Sequence, residues 1–379
     1  MRSLRYPLAA SCAALLVLAV AGSAQATSVS PRFFGVMANG PLDGPKVDLV
    51  KEEGVMRSNG VRSIRVPVIW PDIQPFEKAS DVPAPVRGLY PDVDGVPTNF
   101  YVTDTRIAAA ARNDLEVTAL VLQAPRWASA KPGSTFAAPK DPATYAKFLK
   151  TLIGRYGPQG SFWAEHPELP KRPLRSFQIW NEPSVKQYFD VRSFAPAYVK
   201  LLRASFKAIK KADPGARVVT AGLPNYSWTD LEKLFKAGMK PYGYFDAIAV
   251  HPFTGKPSGS VKILEMIRSV LDQHGAGRKP IWVTEISWPS GIGHVKRRAG
   301  WVTTRAGQAA KVDQAYRALA AASRRLKLER VFWYSWVTRD RRSPNAFDYA
   351  GLRTLRSNGS FADKPALAAY RKVARSLTR

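Results

Sequence analysis

Residues 176–183, Ser176-Phe177-Gln178-Ile179-Trp180-Asn181-Glu182-Pro183, run apolar and β-rich as far as Trp180 and then turn abruptly polar. A strand over 176–180 has no solvated face, as expected of a strand covered on both sides. A helical pattern follows at 194–212 and stops at Asp213-Pro214-Gly215, and a second apolar run follows at 217–221. Pro and Gly just past the last periodic residue are a stop signal. The result is one strand–helix–strand unit, the element from which parallel sheets are built.

Outward from this unit the pattern repeats. Further β-rich runs lie at 33–37, 63–70, 115–122, 244–250, 281–286 and 331–336, and helical patterns at 46–58, 102–112, 143–156, 229–238, 261–274, 305–326 and 364–377. Eight strands, each followed by a helix, predict an α/β fold: a single (β/α)8 TIM barrel. An open doubly wound sheet would be announced by a Gly-rich phosphate turn after its first strand, and there is none. Residues 71–100, rich in proline, aspartate and aromatics and without periodicity, form a long loop insertion after strand two, on the face where barrel enzymes build their sites.

Composition agrees with a large globular domain. The 379 residues are 45% hydrophobic, which excludes disorder and repetitive fibres. Residues 1–26 stand apart. Arg2 and Arg5 precede an apolar run over 8–21, and Ala24-Gln25-Ala26 supplies small residues at a cleavage position. This is the pattern of a secretory signal peptide, and the run is too short for a membrane span. The expected layout is a signal peptide over 1–26, a catalytic domain over 27–379, a secreted product and no membrane span. The single cysteine, Cys12, falls inside the signal, so the mature chain has no thiol chemistry. Four scattered histidines give no metal-ligand spacing, and neither metal nor cofactor is expected.

Lys plus Arg number 57 against 29 Asp plus Glu, a net charge of +28. Such an excess favours polyanionic partners, with a diffuse solvated surface as the alternative. No nucleic-acid-binding motif accompanies it.

The chemistry is carried by two carboxylates at the ends of predicted strands. Strand four ends in Trp180-Asn181-Glu182-Pro183 and strand seven in Thr284-Glu285-Ile286-Ser287-Trp288. In a parallel barrel all strand ends open on one rim, and positions three staves apart face each other across it. A carboxylate pair flanking a bond is what glycoside hydrolysis needs: one protonates the leaving oxygen while the other attacks the anomeric carbon or activates water. Trp70, Trp127, Trp180, Trp288 and Trp336 all fall at or just after predicted strand ends, where indole faces could stack on sugar rings.

With these motifs the chain resembles the clan of retaining glycoside hydrolases built on (β/α)8 barrels. Pro125-Arg126-Trp127-Ala128 after strand three and His251-Pro252-Phe253 after strand six look like its family 39 or family 5 members. The resemblance implies Glu182 as general acid/base and Glu285 as nucleophile. It implies Asn181 at the sugar 2-hydroxyl, Arg65 beside Glu285, His251 near the nucleophile or the sugar, and Trp336 as the floor of the cleavage subsite. Trp127 and Trp288 are the further substrate-binding candidates. The partner would be a polysaccharide or oligosaccharide, of anionic character if the charge serves capture, and the enzyme a monomer. The competing expectation is a catalytically silent barrel that binds anionic glycan or cell envelope through its basic surface.

Overall fold

The computed structural model describes residues 28–134, 136–295 and 301–378. The expected signal peptide over 1–26, with Cys12, lies outside the described residues.

Eight staves form the central sheet: β1 Phe34–Met37, β2 Ser63–Ile69, β3 Glu116–Leu122, β4 Ser176–Ile179, β5 in two pieces (Arg217–Val219 and Leu223–Pro224), β6 Ile248–His251, β7 Ile281–Ile286 and β8 Leu328–Trp333. All pairings among them are parallel. The two pieces of β5 lie at opposite ends of the strand order, one on β4 and the other on β6, so the sheet curls round and closes on its split fifth stave. A parallel bridge between Val219 and Ala247 completes the closure. Among the described residues eight helices have ten or more residues: α1 Leu49–Ser58, α2 Tyr101–Arg112, α3 Pro142–Tyr156, α4 Phe194–Ala212, α5 Ser227–Lys236, α6 Pro257–Gln273, α7 Arg305–Leu326 and α8 Pro365–Leu377.

Local chemistry fixes the boundaries. The Asp141 carboxylate accepts from the Ala143 amide, with Pro142 at the first helical position of α3. Stave six begins at Ile248 rather than 244, because the Asp246 side chain takes the Val218 amide at 2.8 Å in place of a ladder carbonyl. Stave eight runs three residues earlier at each end than its apolar run suggests.

Alternation sorts the side chains. Ile64, Val66 and Val68 on β2, and Ile248 and Val250 on β6, join the large core between sheet and helices. The opposite faces of the staves point into the barrel. There Val219, Ala247, Ala249, Trp282 and Phe332 form a separate plug. Gly35 is required beside it, since a Cβ there would sit 2.6 Å from the Phe332 ring.

The loop after β2 is ordered by a helical turn over Trp70–Ile73, two 3-10 turns and a small hairpin pairing Asp92–Val93 with Val96–Pro97. A feature absent from the sequence reading is a three-stranded sheet after β8: β9 Val337–Arg339, β10 Arg353–Leu355 and β11 Phe361–Asp363. It is no separate module, because Val337, Leu352 and Leu355 belong to the main core.

Candidate active site

The inward alternation that seats the plug carries four polar side chains toward the strand ends: Arg65 on β2, Gln178 on β4, His251 on β6 and Thr284 on β7. All four are fully buried. Above them stand the two glutamates. By strict alternation Glu285 would face the helices, but the β7–β8 pairing slips register between Val283 and Ile286. A slip of this kind re-aims a side chain, and here it turns Glu285 to the mouth. Past β4 the chain takes the left-handed region at two non-glycine residues, Trp180 (φ 68°) and Glu182 (φ 40°). Such positions are held only where the surroundings over-determine them. Here the Trp180 indole donates to the Tyr188 carbonyl at 2.6 Å, and Asn181 bridges to Gly222.

One guanidinium organises the floor. Arg65 Nη1 donates to Glu285 Oε1 at 2.6 Å, Nη2 to Asn181 Oδ1 at 2.8 Å and Nε to Gln178 Oε1 at 2.6 Å. Arginine's rigid fork suits this three-way task. The Glu285 residue is 8% exposed, so its charge is compensated almost wholly by protein groups.

Glu182 is treated differently. Its carboxyl is 13% exposed, and among the described residues its one ion-pair-distance neighbour is the His251 ring. Burial pushes it up to about 7, against a smaller opposing pull from Arg65. His251 Nδ1 lies 2.7 Å from Glu182 Oε1, and Nε2 lies 3.0 Å from Thr284 Oγ1 and 3.7 Å from Glu285 Oε1. Burial outweighs the opposing pull of Glu285 and, with a smaller push from Arg65, takes the imidazole down to about 4, so it is neutral near pH 7. With Nε2–H donated to Thr284, Nδ1 accepts the Glu182 acid proton. One oxygen of each glutamate and a His251 nitrogen fall within 4.8 Å of one another. A divalent ion in that triangle would stand against the Arg65 guanidinium, which makes the donor set a poor metal site.

The structure moves the aromatic assignment. Trp70, Trp180, Trp288 and Trp336 are all fully buried. Trp336 is not a subsite floor: its indole N–H donates to Glu52 Oε1 on α1 at 2.6 Å, and Arg353 of β10 grips the same carboxylate. Trp288 packs against Trp333 and presents no face to the mouth. Trp127 is half-buried, edge-on to Trp70, with its N–H on the Gln74 carbonyl. A large ring with one donor is well served by the core when an acceptor lies in reach. The aromatic side chains beside the carboxylates are Tyr188 and Tyr334, both partly exposed. Burial and the charges of Glu182 and Glu285 raise the Tyr188 phenol; burial, then Glu285, raises that of Tyr334. Tyr334 directly follows β8 and Tyr188 follows Glu182 by six residues, so both were legible by position. Gln178 and Thr284, polar in otherwise apolar staves, were legible by pattern.

At the split in β5 only glycine fits. A Cβ on Gly222 would sit 1.9 Å from His251 Nε2, and the Gly222 carbonyl accepts from the Glu182 amide at 3.2 Å. Gly222→Ala is expected to displace His251, and with it the proton of Glu182, lowering kcat by roughly 100-fold or more while the fold survives. Assay of kcat beside a melting curve checks this; unchanged kcat would show that the His251–Glu182 contact is dispensable.

The comparisons with known proteins agree with this geometry. The family described as glycosyl hydrolase catalytic core matches residues 140–360, more than half of the chain. No curated protein matches the sequence. Among solved structures the chain is similar to a monomeric beta-xylosidase from Caulobacter crescentus CB15, with TM-score 0.63 and 16% identity over 91% of this chain and 68% of that one. A family 39 glycoside hydrolase from Bacteroides cellulosilyticus WH2 gives TM-score 0.64 and 19% identity over 92% and 64%. A GH5_18 variant from Streptomyces cattleya, in complex with Manb1-4GlcNAc, gives 0.63 and 17% over 91% and 80%. The chain therefore spans about two thirds of the length of the first two, and at these identities the likeness establishes the barrel. A closed parallel barrel, a carboxylate pair at its mouth and a family match across both carboxylate-bearing staves lead to one conclusion: this chain belongs to the glycosyl hydrolase catalytic core family, and with it to the glycosidases.

Proposed function

We propose that the chain is a secreted, monomeric, retaining glycosidase that cleaves a polysaccharide or oligosaccharide by double displacement. The observation that carries this is the separation of the carboxylates. Oxygens of Glu182 and Glu285 within 4.8 Å of each other leave too little room for the extra water of an inverting enzyme and suit direct attack.

In the first step Glu182 gives its proton to the glycosidic oxygen as the bond from that oxygen to the anomeric carbon breaks. Glu285 forms the new bond to that carbon. Arg65 stabilises Glu285 before attack and again when it leaves. In the second step the Glu182 carboxylate takes a proton from water, the water oxygen bonds to the anomeric carbon, and Glu285 is released with net retention. His251 holds the Glu182 proton in position, Asn181 is placed by Arg65 to meet the sugar beside the reacting carbon, and Tyr188 and Tyr334 flank it. Secretion rests on the basic, apolar and small-residue order of residues 1–26, and N-terminal sequencing of exported protein tests it. No helix among the described residues is long and apolar enough to cross a membrane.

The acid role sets the pH dependence. Glu182 works protonated, so kcat/KM should hold below about 7 and decline as pH rises past that value. Glu182→Gln should lose this basic limb and fall roughly 10²–10⁴-fold on substrates with poor leaving groups. With dinitrophenyl glycosides, which need no acid, glycosylation of the enzyme should persist. A basic limb that survives in Glu182→Gln would assign it to another group.

A further inference from the structure

The mouth occupies the carboxyl ends of the staves, and the opposite face of the barrel carries a second constellation. Arginines stand at the amino ends of five staves: Arg32 before β1, Arg62 before β2, Arg175 before β4, Arg217 opening β5 and Arg330 near the start of β8. Together they line a cavity of about 690 Å³ in which seven Lys or Arg side chains face two carboxylates, Asp114 and Glu116. The carboxylates are already engaged. Glu116 takes both Arg32, at 2.5 Å, and Arg330, at 2.8 Å. Asp114 lies 2.8 Å from Arg57 outside the cavity and also pairs with Arg172. Arg62 donates to the backbone carbonyls of Arg57 and Val61 and, among the described residues, to no carboxylate.

Arg330 is the inner wall. It is 7% exposed, its guanidinium lies 4.5 Å above the Trp282 ring of the plug, and its buried Nη1 has no acceptor. A buried guanidinium nitrogen with no acceptor is costly where nothing supplies one. Like charges also crowd it, since Arg217 and Arg32 both oppose its protonation, after burial itself. Arg217 pairs with Glu329 at 2.6 Å and Arg175 with Asp213 at 3.4 Å, both carboxylates outside the lining, so the seven cations meet four carboxylates and a cationic excess remains in one concave site.

We propose that this arginine-lined cavity at the closed end of the barrel is a second, non-catalytic binding site for a carboxylate-bearing polysaccharide strand. Its sugar carboxylates would pair with the rim cations Arg32, Lys171 and Arg175, which are exposed, and draw toward Arg62 and Arg217. Such a site would hold the protein on an acidic polymer with its mouth facing away. This site does not depend on the mechanism at the mouth.

The test is calorimetric titration of the mature chain with alginate and polygalacturonate oligomers, at low and at physiological salt. Arg32→Ser, Lys171→Ser and Arg175→Ser combined should weaken binding roughly tenfold or more and flatten its salt dependence, with the melting temperature kept. Removing three equal charges from outer helix faces, Lys200→Ser, Lys207→Ser and Lys262→Ser, should do far less. Glu285→Gln, which alters only the mouth, should bind as the parent does. Equal losses in the two triple variants would mean diffuse attraction and overturn the site, as would absence of oligomer binding at low salt. Duplex DNA bound as tightly as alginate, and lost in the same variant, would overturn the polysaccharide assignment.

Discussion

Glu285→Gly should lower hydrolysis on the order of 10⁴-fold or more, and azide should restore turnover with a glycosyl azide of inverted configuration as product. In the parent enzyme two inversions at the anomeric carbon give retention. Without the Glu285 oxygen the first inversion has no nucleophile, and the vacated space admits a small anion that attacks once. Leaving-group protonation survives, because Glu182 keeps its proton through burial and the His251 contact. Proton NMR of the azide adduct reads the configuration. A retained azide would place the displacement on Glu182 and exchange the two roles.

Arg65→Met should be the most damaging substitution for stability among the site residues. Arg65 is fully buried and supplies donors to Glu285, Asn181 and Gln178 together. Its removal leaves a carboxylate only 11% exposed without its ion pair and two amide oxygens without that donor. Breaking a buried pair on one side costs roughly 3–5 kcal/mol. Arg65→Lys should recover little, since one ammonium cannot span three acceptors on two staves. Removing the stranded charge as well, in Arg65→Met with Glu285→Gln, should return part of the loss, so the double variant is more stable than the sum of the singles. Urea titration of the four proteins measures this. A single Arg65→Met variant within about 1 kcal/mol of the parent would show that Glu285 is compensated by groups other than Arg65.

Sequence pattern carried most of the barrel because buried parallel staves read as short apolar runs and amphipathic helices as periodic ones. Glu182 and Glu285 were legible as charged residues where apolar staves end, and Arg65 as the cation within β2. What escaped depended on contacts distant in the chain. The need for glycine at 222, where β5 splits, follows from His251 on the neighbouring stave, a contact that no local window contains. The burial of Trp336 follows from Glu52, 284 positions away in the chain, accepting its indole N–H. The three-stranded sheet after β8 was partly announced, since Asn358-Gly359 makes its tight turn, with Gly359 at φ 83°. That Asn-Gly pair is a hairpin signal. The register slip that turns Glu285 inward is set by pairing with β8 and leaves no local trace.

The pairing of Glu182 with Glu285 as acid and nucleophile is tested most directly by covalent trapping. The enzyme is incubated with activated 2-deoxy-2-fluoro glycosides of the sugars it hydrolyses, and peptides are mapped by mass spectrometry. One adduct, on the peptide carrying Glu285 and absent from Glu285→Gln, is the predicted result. Steady hydrolysis with an adduct on another residue, or with inverted sugar as the first-formed product, would contradict it.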